Sequence, residues 1–248
     1  MNDWLAGDVT ANGIRLHYQR TGGHKPPLVL AHGIFDNGLG WRPLVMEMEA
    51  DYDCILVDAR GHGQSDMPQG DYSDLSHMAD LADLIERLGL GQPALIGCSM
   101  GATVGALLAA RYPAKVTCLV LEDPPWADEY TRKTPAENAA EAEAWQQAVL
   151  AEQDCTDEER IALFRQLGFV RAGMQPWDDF VGNISCPTLL VTGEVARGGI
   201  VSPAVARAVQ QINPRVEISH IKNAGHGIHS ENFADYVQAV RSFLRRVY

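Results

Sequence analysis

Ser99 lies in the stretch Gly97-Cys98-Ser99-Met100-Gly101, between an apolar run (Pro93-Ala94-Leu95-Ile96) and an alanine-rich run from Ala102 to Arg111. A strand that turns sharply into a helix strains the backbone at the turning residue, so small residues are needed two places to either side. Such a turn lifts the serine oxygen above the sheet edge. A serine hydroxyl is a weak nucleophile near neutral pH and needs an adjacent base. His226, in the glycine-flanked loop Asn223-Ala224-Gly225-His226-Gly227 after the last apolar run, can return to that edge. The other histidines are less suitably placed. His17 and His220 fall inside strands, His24 in a polar turn and His62 in the loop before the second helix. His77 starts a helix, and His229 already leads into the last one.

The acid that would orient His226 has three candidates. The order serine, acid, histidine along the chain limits the search to residues between 99 and 226. Asp123 ends the strand after the Ser99 helix and is stiffened by Pro124-Pro125. Glu194 directly follows the strand Thr188–Val191, and no acid stands just ahead of Gly199-Ile200-Val201. Glu122 neighbours Asp123, but adjacent strand residues point to opposite faces, so only one of the two can aim at the site. We order them Asp123, Glu194, Glu122. The developing oxyanion needs two donors. The amide of Met100 is one, and the loop His32-Gly33-Ile34-Phe35 supplies the other from Ile34, with Phe35 less favoured. His32 is expected to lock that loop and to take no part in proton transfer. Cys98 is expected to point away from the site.

The elements that would position these residues alternate between short apolar strands and helices. Strands are predicted at 14–18, 28–31, 54–58, 93–96, 116–121, 188–191 and 216–221. Helices are predicted at 41–48, 76–88, 102–111, 203–212 and 231–246. Continuously apolar strands separated by helices imply an α/β fold with a mostly parallel sheet covered on both faces. From 126 to 185 the character changes to charged and alanine-rich, with helical runs near 136–152 and 157–167. That segment is expected to be a helical cap inserted into a core domain of residues 1–125 and 186–248, because so short a piece buries too little to fold alone. Phe35, Trp126, Trp145, Phe169, Met174 and Trp177 are candidates for a mostly apolar substrate pocket, or for packing the cap on the core.

The chain has 248 residues, 46% of them hydrophobic, which is ample for a large core. Its 32 acidic against 20 basic residues leave a net charge of −12, which disfavours nucleic acid and anionic membranes as partners. Cys54, Cys98, Cys118, Cys155 and Cys186 are odd in number and scattered, fitting reduced, buried thiols. No apolar stretch is long enough for a signal or a membrane span, and a cytoplasmic location is expected. Histidines and cysteines show no metal-ligand spacing, so neither a metal nor a cofactor is expected.

His32-Gly33, Asp58-x-Arg60-Gly61-His62-Gly63-x-Ser65-Asp66, Gly97-x-Ser99-x-Gly101 and Gly225-His226 followed by Glu231 together resemble the α/β-hydrolase-fold enzymes of the esterase, lactonase and meta-cleavage-product hydrolase type. The resemblance covers essentially the whole chain. It implies an eight-stranded, mostly parallel sheet with a helical cap. The usual acid of that family follows the strand ending here at Val191, where this chain has Gly198. Haloalkane dehalogenases and a macrolide-type lactonase instead place it after the strand ending here at Leu121, which is similar to Asp123. The expected activity is hydrolysis of a small carboxylic ester or lactone through an acyl-enzyme on Ser99, by a monomer or homodimer. Carbon–carbon bond hydrolysis, a cofactor-free lyase and a hydrolase-like ligand receptor remain as alternatives.

Overall fold

The structure, a computed structural model, describes residues 4–68, 72–126 and 175–248. Eight strands form one sheet: β1 (Leu5–Ala11), β2 (Ile14–Arg20), β3 (Pro27–Ala31), β4 (Asp53–Val57), β5 (Ala94–Cys98), β6 (Cys118–Glu122), β7 (Thr188–Thr192) and β8 (Val216–His220). Their order is β1-β2-β4-β3-β5-β6-β7-β8. β1 pairs antiparallel with β2, and β2 antiparallel with β4. Every other pairing is parallel. The α/β class and the eight-stranded, mostly parallel sheet expected from the sequence are therefore present.

The central strands are buried along their whole length, which accounts for their unbroken apolar runs. Alternate residues serve opposite faces. Val29, Ile55, Leu95, Leu119 and Leu190 pack against α2 (Asp74–Arg87), α3 (Met100–Arg111) and α4 (Pro203–Ile212). Leu28, Leu30, Leu56, Ile96 and Val120 pack against α1 (Arg42–Met48) and the last helix, Phe233–Val247. A single turn, α5 (Ile228–Glu231), precedes that last helix, which is α6. The α2 helix begins at Asp74, ahead of the predicted start, because the Ser73 hydroxyl accepts the Ser76 amide and caps it.

One sequence expectation changes here: β1 was not predicted, because as an edge strand that pairs only with β2 it is mostly exposed and carries no buried run. Part of the segment expected to be the cap is described. Residues 177–184 form two short 3₁₀ turns whose Trp177, Phe180, Val181 and Ile184 join the main core. The helical runs predicted near 136–152 and 157–167, with Trp145, Phe169, Met174 and Cys155, lie outside the described residues. No described helix is long and apolar enough to cross a membrane. Among the described residues, Cys54, Cys98, Cys118 and Cys186 are buried free thiols.

Candidate active site

Ser99 occupies the turn between β5 and α3 with φ 52° and ψ −115°, a region that side-chain-bearing residues rarely adopt. The flanking glycines explain how the turn is built. A Cβ on Gly101 would meet the Ala31 carbonyl oxygen at 2.2 Å, and one on Gly97 would meet the Gly101 carbonyl oxygen at 2.4 Å. Only bare backbone lets α3 start this close to β3 and β5.

Asp123 directly follows β6 and is fully buried. Its Oδ2 lies 2.8 Å from His226 Nδ1. Both carboxylate oxygens also accept backbone amides from the loop after β7: Ile200 N–H donates to Oδ2 at 2.8 Å and Val201 N–H to Oδ1 at 2.9 Å. Three donors thus fix a charge that burial alone would penalise. Asp123 itself sits at φ 39°, so the backbone is bent to deliver it. Glu194, the alternative acid, turns instead to Arg197, whose Nε donates to it at 3.0 Å. The structure therefore brings Asp123, and not Glu194, to the His226 ring. His226 is partly exposed and borders the same cavity as Ser99. The Ser99 hydroxyl and the ring make no hydrogen bond to each other here; such contacts commonly tighten only in the substrate complex.

Gly33 runs close beneath Ser99, since a Cβ there would lie 3.4 Å from the serine Cβ. The Gly33 carbonyl accepts the Asp36 amide at 3.2 Å and faces His32 Nδ1 at 2.6 Å. Fixing that carbonyl fixes the peptide plane, and with it the Ile34 N–H on the opposite side. Burial, with His62 nearby, pulls the His32 pKa down to about 3. The ring is therefore neutral, donating through Nδ1 and accepting the Ala59 amide at Nε2 (3.0 Å). The Met100 N–H stands in the first turn of α3, where a helix offers no internal acceptor. Neither the Ile34 nor the Met100 amide finds an acceptor among the described residues.

The Asp58–Asp66 motif braces this loop from behind. Asp58 accepts the Gly38 and Gln64 amides at 2.7 and 2.8 Å. Arg60 pairs with Asp80 on α2 through two 2.6 Å contacts. His62 Nε2 lies 2.8 Å from the Ile34 carbonyl oxygen, a support for that loop which its place in the sequence does not reveal.

A cavity of about 380 Å³ opens over Ser99 and His226, with Ile34, Phe35, Trp41 and Pro43 among its walls. Phe35 is thus at the site, as expected. Trp126 and Trp177 are not among its described lining. They stack on each other in the core with ring centroids 6.3 Å apart, because two large apolar surfaces that meet bury each other. Cys98 also corrects an expectation, since it borders the cavity floor. Burial raises its thiol well above the usual range, so it stays protonated. Its sulfur, Glu122 and His229 lie within 4.8 Å of one another, a grouping with no ligand spacing in the sequence. Glu122 and His229 bond directly to each other there.

A sheet of this order, a strained serine between β5 and α3, and a histidine–carboxylate pair at the same edge point to one group of proteins. The model describing the alpha/beta hydrolase fold matches residues 26–175. The chain belongs to the α/β-hydrolase fold family. It is similar to N-formylmaleamate deformylase of Pseudomonas putida, with 28% identity across 98% of each chain. Among solved structures of this fold, a thermophilic esterase from Thermogutta terrifontis superposes with a TM-score of 0.78 and 26% identity, over 98% of this chain and 99% of that one. An enol-lactonase from Burkholderia xenovorans superposes with a TM-score of 0.75 over 96% and 100%, at 23% identity, a likeness of fold. The chain is accordingly a hydrolase of the α/β-hydrolase fold.

Proposed function

We propose that the chain is a serine hydrolase that opens a small carboxylic acyl compound, an ester or lactone, through a covalent acyl-enzyme on Ser99. His226 takes the Ser99 proton as Oγ attacks the carbonyl carbon, and Asp123 holds the ring and stabilises its charge. The Ile34 and Met100 amides receive the oxyanion. His226 then returns the proton to the leaving oxygen. Water, deprotonated by the same ring, attacks the acyl carbon, and the ring returns that proton to Ser99 Oγ as the acyl–oxygen bond breaks. The observation that carries this reading is the buried Asp123 carboxylate 2.8 Å from His226 Nδ1, held by two loop amides.

A second reading concerns the bond that breaks. The relative matched along nearly its whole length is named for removing a formyl group from an amide. The same machinery cleaves an N-acyl bond if His226 protonates the departing nitrogen. The four buried, free cysteines among the described residues also favour a cytoplasmic setting.

The test compares the protein with its Ser99→Ala variant on p-nitrophenyl acetate and on an N-formyl amide, with fluorophosphonate labelling in parallel. Steady turnover and a label on Ser99, both lost in Ser99→Ala, are expected. Tight binding of an ester without turnover or labelling would leave a receptor and end the hydrolase reading.

A further inference from the structure

The reaction above leaves unused a carboxylate–imidazole pair whose carboxylate is fully buried. Glu122 precedes Asp123 on β6, points to the other face of the sheet and is fully buried. The His229 backbone amide donates to its Oε1 at 2.9 Å, and His229 Nδ1 lies 2.9 Å from both carboxylate oxygens. Trp41 stacks on the ring with centroids 4.6 Å apart, and the Tyr236 ring sits 6.0 Å away. The imidazole is therefore fixed in plane and in rotation. With Nδ1 turned onto the buried carboxylate, the ring geometry sends Nε2 outward. His229 borders the Ser99 cavity, and its Nε2 has no partner among the described residues.

Burial of the ring opposes its charge, but the Glu122 hydrogen bond and charge outweigh that, with Asp36 adding to them, so its pKa lies above the ordinary histidine value. Asp36 is exposed on the loop after β3 and holds the Asn37 amide at 2.8 Å. Burying a carboxylate with its partner costs desolvation that their attraction only partly repays, so stability alone is a weak reason to keep the pair. To bind a neutral oxygen, an uncharged hydroxyl or amide would suffice. A charge-held imidazole N–H suits an anionic oxygen, with which it makes the stronger class of hydrogen bond.

We propose that His229, held by Glu122, is a cationic donor for a carboxylate on the substrate, so that the compound hydrolysed at Ser99 is a small organic acid. This rests on the serine hydrolase reading above. It makes His229 a specificity-determining residue and Glu122 a positioning residue, neither acting on the scissile bond.

The test uses two p-nitrophenyl esters of succinic acid, one with its distal carboxylate free and one with it methylated. The ratio of their kcat/KM values reads the subsite, and any general loss from disturbing the His226 loop cancels in it. The protein is expected to prefer the free acid by about tenfold or more. His229→Gln is expected to bring the ratio near one, mainly through KM of the acid. Binding of succinate, followed by calorimetry, reads the same subsite without turnover and is expected to weaken in His229→Gln. A ratio at or below one in the unaltered protein, or one that His229→Gln leaves unchanged, would overturn the proposal. Succinate binding that depends on His229 in a protein with no esterase turnover would retain the subsite and discard the hydrolase reading.

Discussion

Asp123 and His226 meet at 2.8 Å although 103 positions separate them in the chain, and the carboxylate reaches the ring from the end of β6, not β7. Asp123→Asn keeps the shape but removes the charge that orients the ring and stabilises its protonated form. A loss of about 10³–10⁴ in kcat is expected, by analogy with other serine–histidine–aspartate sites. Glu194→Gln, which breaks only an exposed contact with Arg197, is expected to stay within about threefold, as surface pairs contribute little. Steady-state kinetics of the two variants side by side decide the matter, and the reverse order would move the acid to Glu194.

His32 fixes, through the Gly33 carbonyl, the peptide whose N–H is proposed to receive the oxyanion. Removing an oxyanion donor outright typically lowers kcat by ~10²–10³. His32→Ala leaves the donor but frees its peptide, so a fall of roughly ten- to a hundredfold in kcat is expected, with KM moving less. Ile34→Ala, which keeps the backbone amide, should change kcat far less. Equal effects from the two substitutions would show that the Ile34 side chain matters and not its peptide.

Gly101 and Gly89 separate crowding from backbone strain. A methyl at Gly101 collides with the Ala31 carbonyl at 2.2 Å, whereas one at Gly89 meets nothing within 4 Å but sits at φ 63°. Gly89→Ala is expected to lower stability by about 1–2 kcal/mol through conformation alone. Gly101→Ala should lose more than that, about 3 kcal/mol or above, because neither β3 nor α3 can retreat. Urea titration of both variants measures the difference, and similar midpoints would mean that the turn tolerates a side chain.

Asp74 is buried at the start of α2, and burial raises its pKa to about 7, partly offset by the Gln175 amide that it accepts at 3.2 Å. In the unfolded chain the same group titrates near ~3.9. Between those values the folded protein binds a proton that the unfolded chain does not. Stability therefore falls as pH rises from about 4 to about 7, then levels off, by up to ~4 kcal/mol from this group. Asp74→Asn removes the proton exchange, so its stability relative to the unaltered protein should climb across that window. Denaturant midpoints at pH 5 and pH 8 test this, and parallel pH slopes for both proteins would contradict it.

The serine turn was legible because its signal is local: five consecutive residues with small side chains at fixed offsets between a strand and a helix. β3 to β7 were legible because strands covered on both faces must be apolar throughout. Orientation was not legible. Asp123 and Glu194 both end strands, and only the bend at Asp123 decides which carboxylate meets the ring. Strand alternation rightly separates the two neighbours, Asp123 meeting His226 and Glu122 turning to the other face, but it gives no sign that Glu122 would meet His229 there. For Trp126 and Trp177 the sequence leaves pocket lining and core packing both open. An indole that lines a pocket and one that packs a core look alike in one dimension. β1 was missed because an exposed edge strand need not alternate.

Asp123 is steadied by the peptide hydrogens of Ile200 and Val201, and every residue type except proline carries such a hydrogen. At Ile200 this contact places no requirement on the side chain, whereas Val201 is still held to an apolar one by its burial in the core. A change of side chain at Ile200 that keeps the backbone path is therefore expected to leave the acid in place.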